Sequence, residues 1–149
     1  MHECILVLDN LRSIENVGSI FRTADGFGVK KIILVGTTPT PLDRFGRKRQ
    51  DFAKVALGAE DNIEWEHTDD FKNDGYKIIV LEQDPRAKRL RDFTPPDKFA
   101  LVVGSEVNGV SKEIIDQADT IIEIPMMGEK ESLNVAVATG VALFRFLGS

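Results

Sequence analysis

Residues 124–146 read Ile-Pro-Met-Met-Gly-Glu-Lys-Glu-Ser-Leu-Asn-Val-Ala-Val-Ala-Thr-Gly-Val-Ala-Leu-Phe-Arg-Phe. A short apolar strand ends at Ile124, Pro125 stops it, and a polar loop with Gly128 follows. A helix is expected from near Ser132. Its apolar residues are not confined to one stripe: Leu133, Val137, Val141 and Phe144 recur at helical spacing, and Ala138, Ala142 and Phe146 mark a second face. A helix apolar nearly all round is buried, in a core or between subunits. This one is too short, and too polar at its start, to span a membrane. Ser132-Leu133-Asn134 sets polar groups at the mouth of that helix. Unpaired N–H groups and the positive dipole end there offer a seat for polar or anionic ligand groups. Ser132 reads equally well as a plain N-cap.

Working outward, elements alternate along the whole chain. Residues 5–8 (Ile-Leu-Val-Leu) and 32–35 (Ile-Ile-Leu-Val) are continuous apolar runs, the mark of strands covered on both faces. Between them a polar loop, residues 9–16, leads into a helix through Ile20, Phe21 and Ala24 that ends at Gly26 or Gly28. The pair Gly26-Phe27-Gly28 follows a helix and lacks a third glycine, so it reads as a C-cap and turn rather than a dinucleotide fingerprint. Residues 37–51 form a long loop with Pro39, Pro41 and the basic cluster Arg44, Arg47, Lys48 and Arg49. A short helix is expected over 52–58, a strand over 63–67 and another helix from Thr68 or Asp69. A strand over 77–82 precedes a loop with a second basic cluster, Arg86, Lys88, Arg89 and Arg91, closed by Pro95-Pro96. Strands over 100–103 and 121–124 flank a helix around 111–118, with Ser111 as its N-cap. The alternation predicts a single α/β domain over 1–149, with a mostly parallel sheet flanked by helices. Ligands in such sheets bind beyond the carboxyl ends of the strands. Leu81-Glu82, Gly104-Ser105-Glu106 and the loop after Ile124 lie at such ends.

The chain of 149 residues suits one domain with a real core, and 42% hydrophobic with 29% charged residues is a globular composition. The one cysteine, Cys4, excludes a disulfide framework and reads as a small core residue. His2 and His67 have no partners at metal-ligand spacing, so no metal is expected. No signal peptide is evident, which points to a reducing cytoplasm. The net charge of −5 argues against a generally basic nucleic-acid coat, although two basic clusters remain.

Three segments carry chemistry. In Asn16-Val17-Gly18-Ser19-Ile20-Phe21-Arg22-Thr23-Ala24, Asn16 is placed to cap the helix and Arg22 projects from its second turn; Arg22 could equally be a surface arginine paired with Asp25. Gly104-Ser105-Glu106 with Gly109 is a strand-end turn where glycine lets backbone approach a ligand, or an ordinary βα loop. The third segment is the opening stretch.

In this order and spacing the three segments resemble the motifs of the SpoU-type (TrmH-like) RNA ribose 2'-O-methyltransferases of the SPOUT superfamily, over almost the whole chain. Motif one matches Asn16 to Ala24, motif two Leu101 to Gly109 and motif three Ile124 to Leu143. The resemblance implies a SPOUT-type sheet with a C-terminal deep trefoil knot, a feature otherwise nearly absent from proteins. It implies an S-adenosylmethionine site built from the loops after residues 81, 104 and 124, leaving S-adenosylhomocysteine as product. Leu81, Glu82, Gly104, Ser105, Ile124, Met126 and Leu133 would line that site, with Gly104, Ile124 and Leu133 contacting the cofactor largely through backbone. It implies a homodimer in which the apolar helix packs against the first helix at the interface. Arg22 matches the catalytic arginine, Asn16 and Glu106 the residues that orient it and the substrate, and Ser132 and Asn134 the polar pair of the pocket. A guanidinium is a poor base, so its expected task is to stabilise the developing alkoxide and clamp the adjacent phosphate.

The RNA, tRNA or ribosomal RNA, would meet Arg44, Arg47, Lys48 and Arg49; for Arg86 to Arg91, phosphate contact and plain solvation are equally good readings. A catalytic domain without the N-terminal RNA-binding domain that many relatives carry is expected. The alternative function is a catalytically silent RNA-binding protein of the same fold, but intact Arg22, Asn16, Glu106, Ser132 and Asn134 favour the enzyme. A Rossmann dehydrogenase and a P-loop enzyme fail for want of their glycine signatures.

Overall fold

Hydrophobic runs too continuous for a one-sided sheet must be covered on both faces, and they are. A computed structural model of the protein describes residues 2–148. Its strands are β1 (Glu3–Asp9), β2 (Lys31–Val35), β3 (Glu64–Thr68), β4 (Lys77–Leu81), β5 (Lys88–Arg89), β6 (Lys98–Gly104) and β7 (Thr120–Glu123). The helices are α1 (Ile14–Phe27), α2 (Gln50–Ala56), α3 (Ala59–Asn62), α4 (Lys112–Ile115) and α5 (Val135–Leu147). The strands form one sheet in the order β3-β2-β1-β6-β4-β7-β5, and every pairing is parallel.

Alternate residues of the central strands feed two cores, as the two-residue period of a strand requires. Leu6, Leu8, Ile32, Leu34, Leu101 and Ile122 meet Ile20 and Phe21 of α1, Phe52 of α2 and Leu143 and Phe146 of α5. Ile5, Val7, Ile33, Ile78, Val80 and Val102 meet Phe71, Val110 and Ile114 on the other side. Phe146 stands edge-on to Phe93 and Phe99, at 6.0 and 5.5 Å, which fixes the far end of α5 against the sheet.

Chain order and spatial order diverge where it matters. Strand β6 enters between β1 and β4, and β7 between β4 and β5. The connection direction therefore reverses around β6, the kind of switch point at which parallel sheets open a crevice.

Several local expectations need correction. Helix α1 is capped by Ser13, whose Oγ accepts from the Asn16 amide at 3.1 Å, so Asn16 lies in the first turn and is not the cap. Gly28, in the left-handed region, ends that helix as expected. No helix follows Thr68: Thr68 and Asp70 bond to each other, and Asn73 Oδ1 accepts from the Tyr76 amide, so side chains compete successfully for the backbone. The helix expected over 111–118 shrinks to Lys112–Ile115, and the Ser111 side chain makes no capping bond. The second basic cluster is not all loop, since Lys88 and Arg89 form the edge strand β5 on β7. Helix α5 begins at Val135 rather than near Ser132, and it is not buried all round. Val137, Val141 and Phe144 are 53%, 41% and 64% exposed, while Thr139, Ala142 and Leu143 are buried.

Among the described residues no helix is long and apolar enough to cross a membrane. Cys4 is buried in β1, and desolvation pushes its thiol up to about 12. The native protein is therefore expected to resist alkylation at pH 8 and to react once denatured. Stoichiometric labelling of the native protein, read by mass spectrometry, would contradict this placement.

Candidate functional site

The turn after β6 is held by groups from three strands. Ser105 O accepts from the Gly109 amide at 2.8 Å, and Ser105 Oγ accepts from the Asn108 amide at 3.0 Å, closing residues 105–109 into a tight loop. The next two amides are then taken by carboxylates. Val110 N–H donates to Glu82 Oε1 at 2.7 Å, from the end of β4. Ser111 N–H donates at 2.7 Å to Oδ2 of Asp9, a fully buried residue at the end of β1. Such closeness needs glycine twice. A Cβ at Gly104 would run into the backbone of Gly109 and Val110, and Gly109 has φ of 68° with the Glu82 carboxylate where its Cβ would go.

Beside this turn a cleft of about 390 Å³ opens at the carboxyl ends of β4, β6 and β7. Leu81, Val103, Ile124, Leu133 and Ala138 give it apolar walls; Glu82, Ser105, Glu106, Asn108 and Ser132 give it polar groups. Of the seven residues expected to hold a cofactor, six line this cleft: Leu81, Glu82, Gly104, Ser105, Ile124 and Leu133. Met126 does not; it lies further along the loop, half-buried. Gly109, read with the strand-end turn, lines it too; so do Gln83 and Glu123, and nothing in their residue types singles them out in the sequence.

A smaller crevice of about 150 Å³ adjoins it, between the loop after β1 and the β6 turn. Asn16 and Glu106 meet there, with Arg12, Ser105 and Val135. Asn134 Nδ2 donates to Asn16 Oδ1 at 3.2 Å, and Val135 N–H donates to Glu106 Oε1 at 3.2 Å. Asn134 Oδ1 accepts from the amides of Ala136 and Val137 at 2.8 and 3.3 Å, so Asn134, not Ser132, is the N-cap of α5. Ser132 and Leu133 stay in the preceding loop, against the cleft. One carboxamide thus starts the helix with its oxygen and orients Asn16 with its nitrogen. Arg12, exposed and without an ion pair among the described residues, is a site residue that its place in a polar loop did not reveal.

Arg22 stands apart. It lies exposed on α1 in an open depression with Ser19, Thr23, Phe27 and Lys54, and it lines neither the cleft nor the crevice of its own chain. It makes no ion pair with Asp25 or any other acid among the described residues. The basic loop is mostly self-neutralised. Arg47 pairs with Asp43 at 3.3 Å, Lys48 with Asp61 at 2.8 Å and Arg49 with Asp51 at 2.9 Å, which leaves Arg44 without an acid among the described residues. No group of three or more His, Cys, Asp or Glu side chains gathers in a way that could hold a metal ion, among the described residues.

The model of the SpoU rRNA methylase family matches residues 3–144. The chain belongs to the SpoU rRNA methylase family. It is 33% identical, over 94% of its length, to a Staphylococcus haemolyticus protein named for the TrmH family of tRNA/rRNA methyltransferases, and spans 56% of that relative. Among solved structures, the AdoMet-bound rRNA methyltransferase of Sinorhizobium meliloti superimposes with a TM-score of 0.82 at 26% identity, covering 97% of this chain and 57% of that one. The A. aeolicus TrmH/SpoU tRNA modifying enzyme gives 0.81 at 30% identity, covering 97% and 74%. This SpoU-family chain therefore spans little more than half the length of the curated relatives it matches.

The double use of Asn134 makes a separable prediction. Asn134→Ala removes the cap and is expected to lower stability by about 1 kcal/mol in urea unfolding. Asn134→Asp keeps a capping oxygen and is expected to stay within a few tenths of wild type, while losing the donor to Asn16. Equal destabilisation by both would show that the cap is not what Asn134 supplies.

Proposed function

We propose that the protein transfers a methyl group from S-adenosylmethionine to a ribose 2'-hydroxyl of RNA, tRNA or ribosomal RNA. The observation that carries this reading is that, with a family match over residues 3–144, a cleft opens at the ends of β4, β6 and β7 where the family resemblance expects the cofactor, lined by six of the residues read as its contacts. The cleft fits the group. Its volume lies in the range of small-molecule sites, its apolar walls suit a purine face, and Ser105, Asn108 and Ser132 offer hydrogen-bonding groups to the polar parts. The relative from Sinorhizobium meliloti is described as AdoMet-bound, which supports the same assignment. When bound, the cofactor supplies an electrophilic methyl on a sulfonium.

The protein's share is positioning and charge. The Asn16–Asn134 pair and Glu106 form a fixed polar rim at which a ribose and its phosphate can be oriented. A hydroxyl becomes a competent nucleophile only as negative charge grows on its oxygen, and a guanidinium, always protonated, stabilises that charge. Arg22 is the candidate, yet it lies outside its own cleft. A homodimer resolves this. Val137, Val141 and Phe144 form an exposed apolar stripe on α5 at helical spacing, and Phe27 of α1 stands edge-on to Phe144 at 6.3 Å. Two copies meeting through this face would bury it and bring α1 of one subunit, with Arg22, toward the cleft of the other. A C-terminal trefoil knot is part of this reading, and the insertion of β6 and β7 between strands laid down earlier, with Ile124, Ser132 and Leu133 at the cleft, is compatible with it.

The test is incubation with S-adenosylmethionine and bulk tRNA and ribosomal RNA from a strain lacking the gene, followed by nuclease digestion and mass spectrometry. A 2'-O-methylnucleoside is expected. A base-methylated nucleoside, or no product, would overturn the reading. Arg22→Ala is expected to bind cofactor and remain dimeric while losing activity. Mixed with an inactive Leu133→Arg variant, whose side chain would fill the cleft, it is expected to regain part of that activity through heterodimers. No recovery would place Arg22 in its own subunit's reaction or in none.

A further inference from the structure

The loop after β2 presents an aromatic ring that the packing of the protein does not use. Phe45 is 66% exposed. Large apolar side chains at loop tips lose water-ordering cost by burial, so a ring held outward needs a reason. It is held outward by a built turn. Asp43 Oδ1 accepts from the amides of Phe45 and Arg47 at 2.8 and 3.0 Å, Asp43 N–H donates to Arg47 O at 2.8 Å, and Gly46 N–H donates to Asp43 O at 3.0 Å. Leu42 and Lys48 pair as an antiparallel bridge at its base. The backbone of residues 42–48 is thus fixed by its own hydrogen bonds, with Phe45 at the tip.

Two guanidiniums attend the ring. The Cζ atoms of Arg44 and Arg47 lie 4.9 and 5.0 Å from its centroid. Arg47 is anchored by Asp43, whereas Arg44 has no acid among the described residues. An exposed aromatic ring attended by mobile guanidiniums is the chemistry that recognises an unpaired nucleobase with its phosphate: the ring stacks on the base and the guanidinium that yields the face meets the charge.

Its location agrees. The loop leaves the carboxyl end of β2, on the same edge of the sheet as the cleft. Only β1 separates β2 from β6, so the two strand ends are ~10 Å apart at the usual strand spacing of ~4.8 Å. The loop after β1 bridges the gap and is sewn to the loop after β2. Leu11 N–H donates to Thr38 Oγ1 at 3.0 Å and Thr37 N–H to Asn10 Oδ1 at 3.1 Å. That intervening loop carries Arg12, at the crevice with Asn16 and Glu106.

We propose that single-stranded RNA flanking the modified nucleotide runs along this edge, past Arg12, and stacks one base on Phe45, with Arg44 holding the adjoining phosphate. The inference rests on the reading of RNA as substrate and deepens it: the RNA is unpaired beside the target, not a continuous duplex.

The experiment is fluorescence anisotropy with full-length protein and two labelled probes, a short oligouridylate and a duplex of the same length, at several salt concentrations. Phe45→Ala, an exposed change that leaves the fold intact, is expected to weaken the single strand about tenfold and leave the duplex unchanged. Phe45→Trp keeps a stacking ring and is expected to bind as wild type; Phe45→Leu keeps apolar area without a ring and is expected to bind as the alanine variant. Arg44→Ala is expected to flatten the salt dependence by about one phosphate contact. Equal single-strand binding by wild type and Phe45→Ala, or full binding by Phe45→Leu, overturns the platform. So does a change of oligomeric mass in Phe45→Ala, which would assign the ring to a protein contact. Titration of S-adenosylmethionine separates the two readings. Cofactor binding with no effect of Phe45 refutes the platform alone, whereas a protein that binds neither cofactor nor either RNA refutes both.

Discussion

Two consecutive backbone amides, Val110 N–H and Ser111 N–H, donate to carboxylates from two different strands, Glu82 of the β4 end and Asp9 of the β1 end. These bonds tie the turn after β6 across three strands at the point where the connection direction reverses. An orphaned amide in such a partly buried turn is costly, and a charged acceptor makes the bond stronger than a neutral one. The consequence is a turn that cannot swing into the cleft. The same constraint explains the glycines: Glu82 drawn in this far leaves no room for a Cβ at Gly109, and the pinned backbone of Gly109 and Val110 leaves none at Gly104. The cleft is thus shaped by backbone pinned in place, as the proposed reading of a cofactor through shape and main-chain groups requires.

The helix α5 extends the same economy of groups. Its start is set by Asn134, which also reaches Asn16 on α1, and its second amide partner is Glu106 of the pinned turn. Three motifs far apart in sequence therefore share one hydrogen-bonded corner. Below that corner α5 has a buried face on the sheet and an exposed apolar face of Val137, Val141 and Phe144. A single chain leaves that second face in water, and it leaves Arg22 outside its own cleft. One event, association of two copies through this face, would answer both facts.

The strands were readable because Ile5-Leu6-Val7-Leu8, Ile32-Ile33-Leu34-Val35 and Leu101-Val102-Val103 are runs that only a doubly covered parallel sheet buries. Leu81, Glu82, Gly104, Ser105 and Ile124 lie at or just beyond strand ends, which in such a sheet converge on one edge; that they and Leu133 would hold a cofactor came from the family resemblance. The capping residues were misread at both key helices because Ser13 and Asn16, or Ser132 and Asn134, are all good caps, and only backbone geometry chooses between them. The helix expected after Thr68 failed because short polar side chains satisfied the backbone locally. The basic loop looked like a phosphate patch by charge, but Asp43, Asp51 and Asp61 neutralise most of it, and those pairings depend on tertiary placement that no local pattern encodes. Phe45 was unremarkable in sequence for the same reason: its exposure is a property of the turn that carries it.

The most direct measurement is calorimetric titration of S-adenosylmethionine and S-adenosylhomocysteine into the purified wild-type protein and a Leu133→Arg variant. Saturable binding at one site per chain, abolished by filling the cleft at Leu133 while the fold is retained, is the result expected if the pinned turn builds a cofactor site. A folded wild-type protein that binds neither ligand, or a Leu133→Arg variant that binds both as well as wild type, would contradict it.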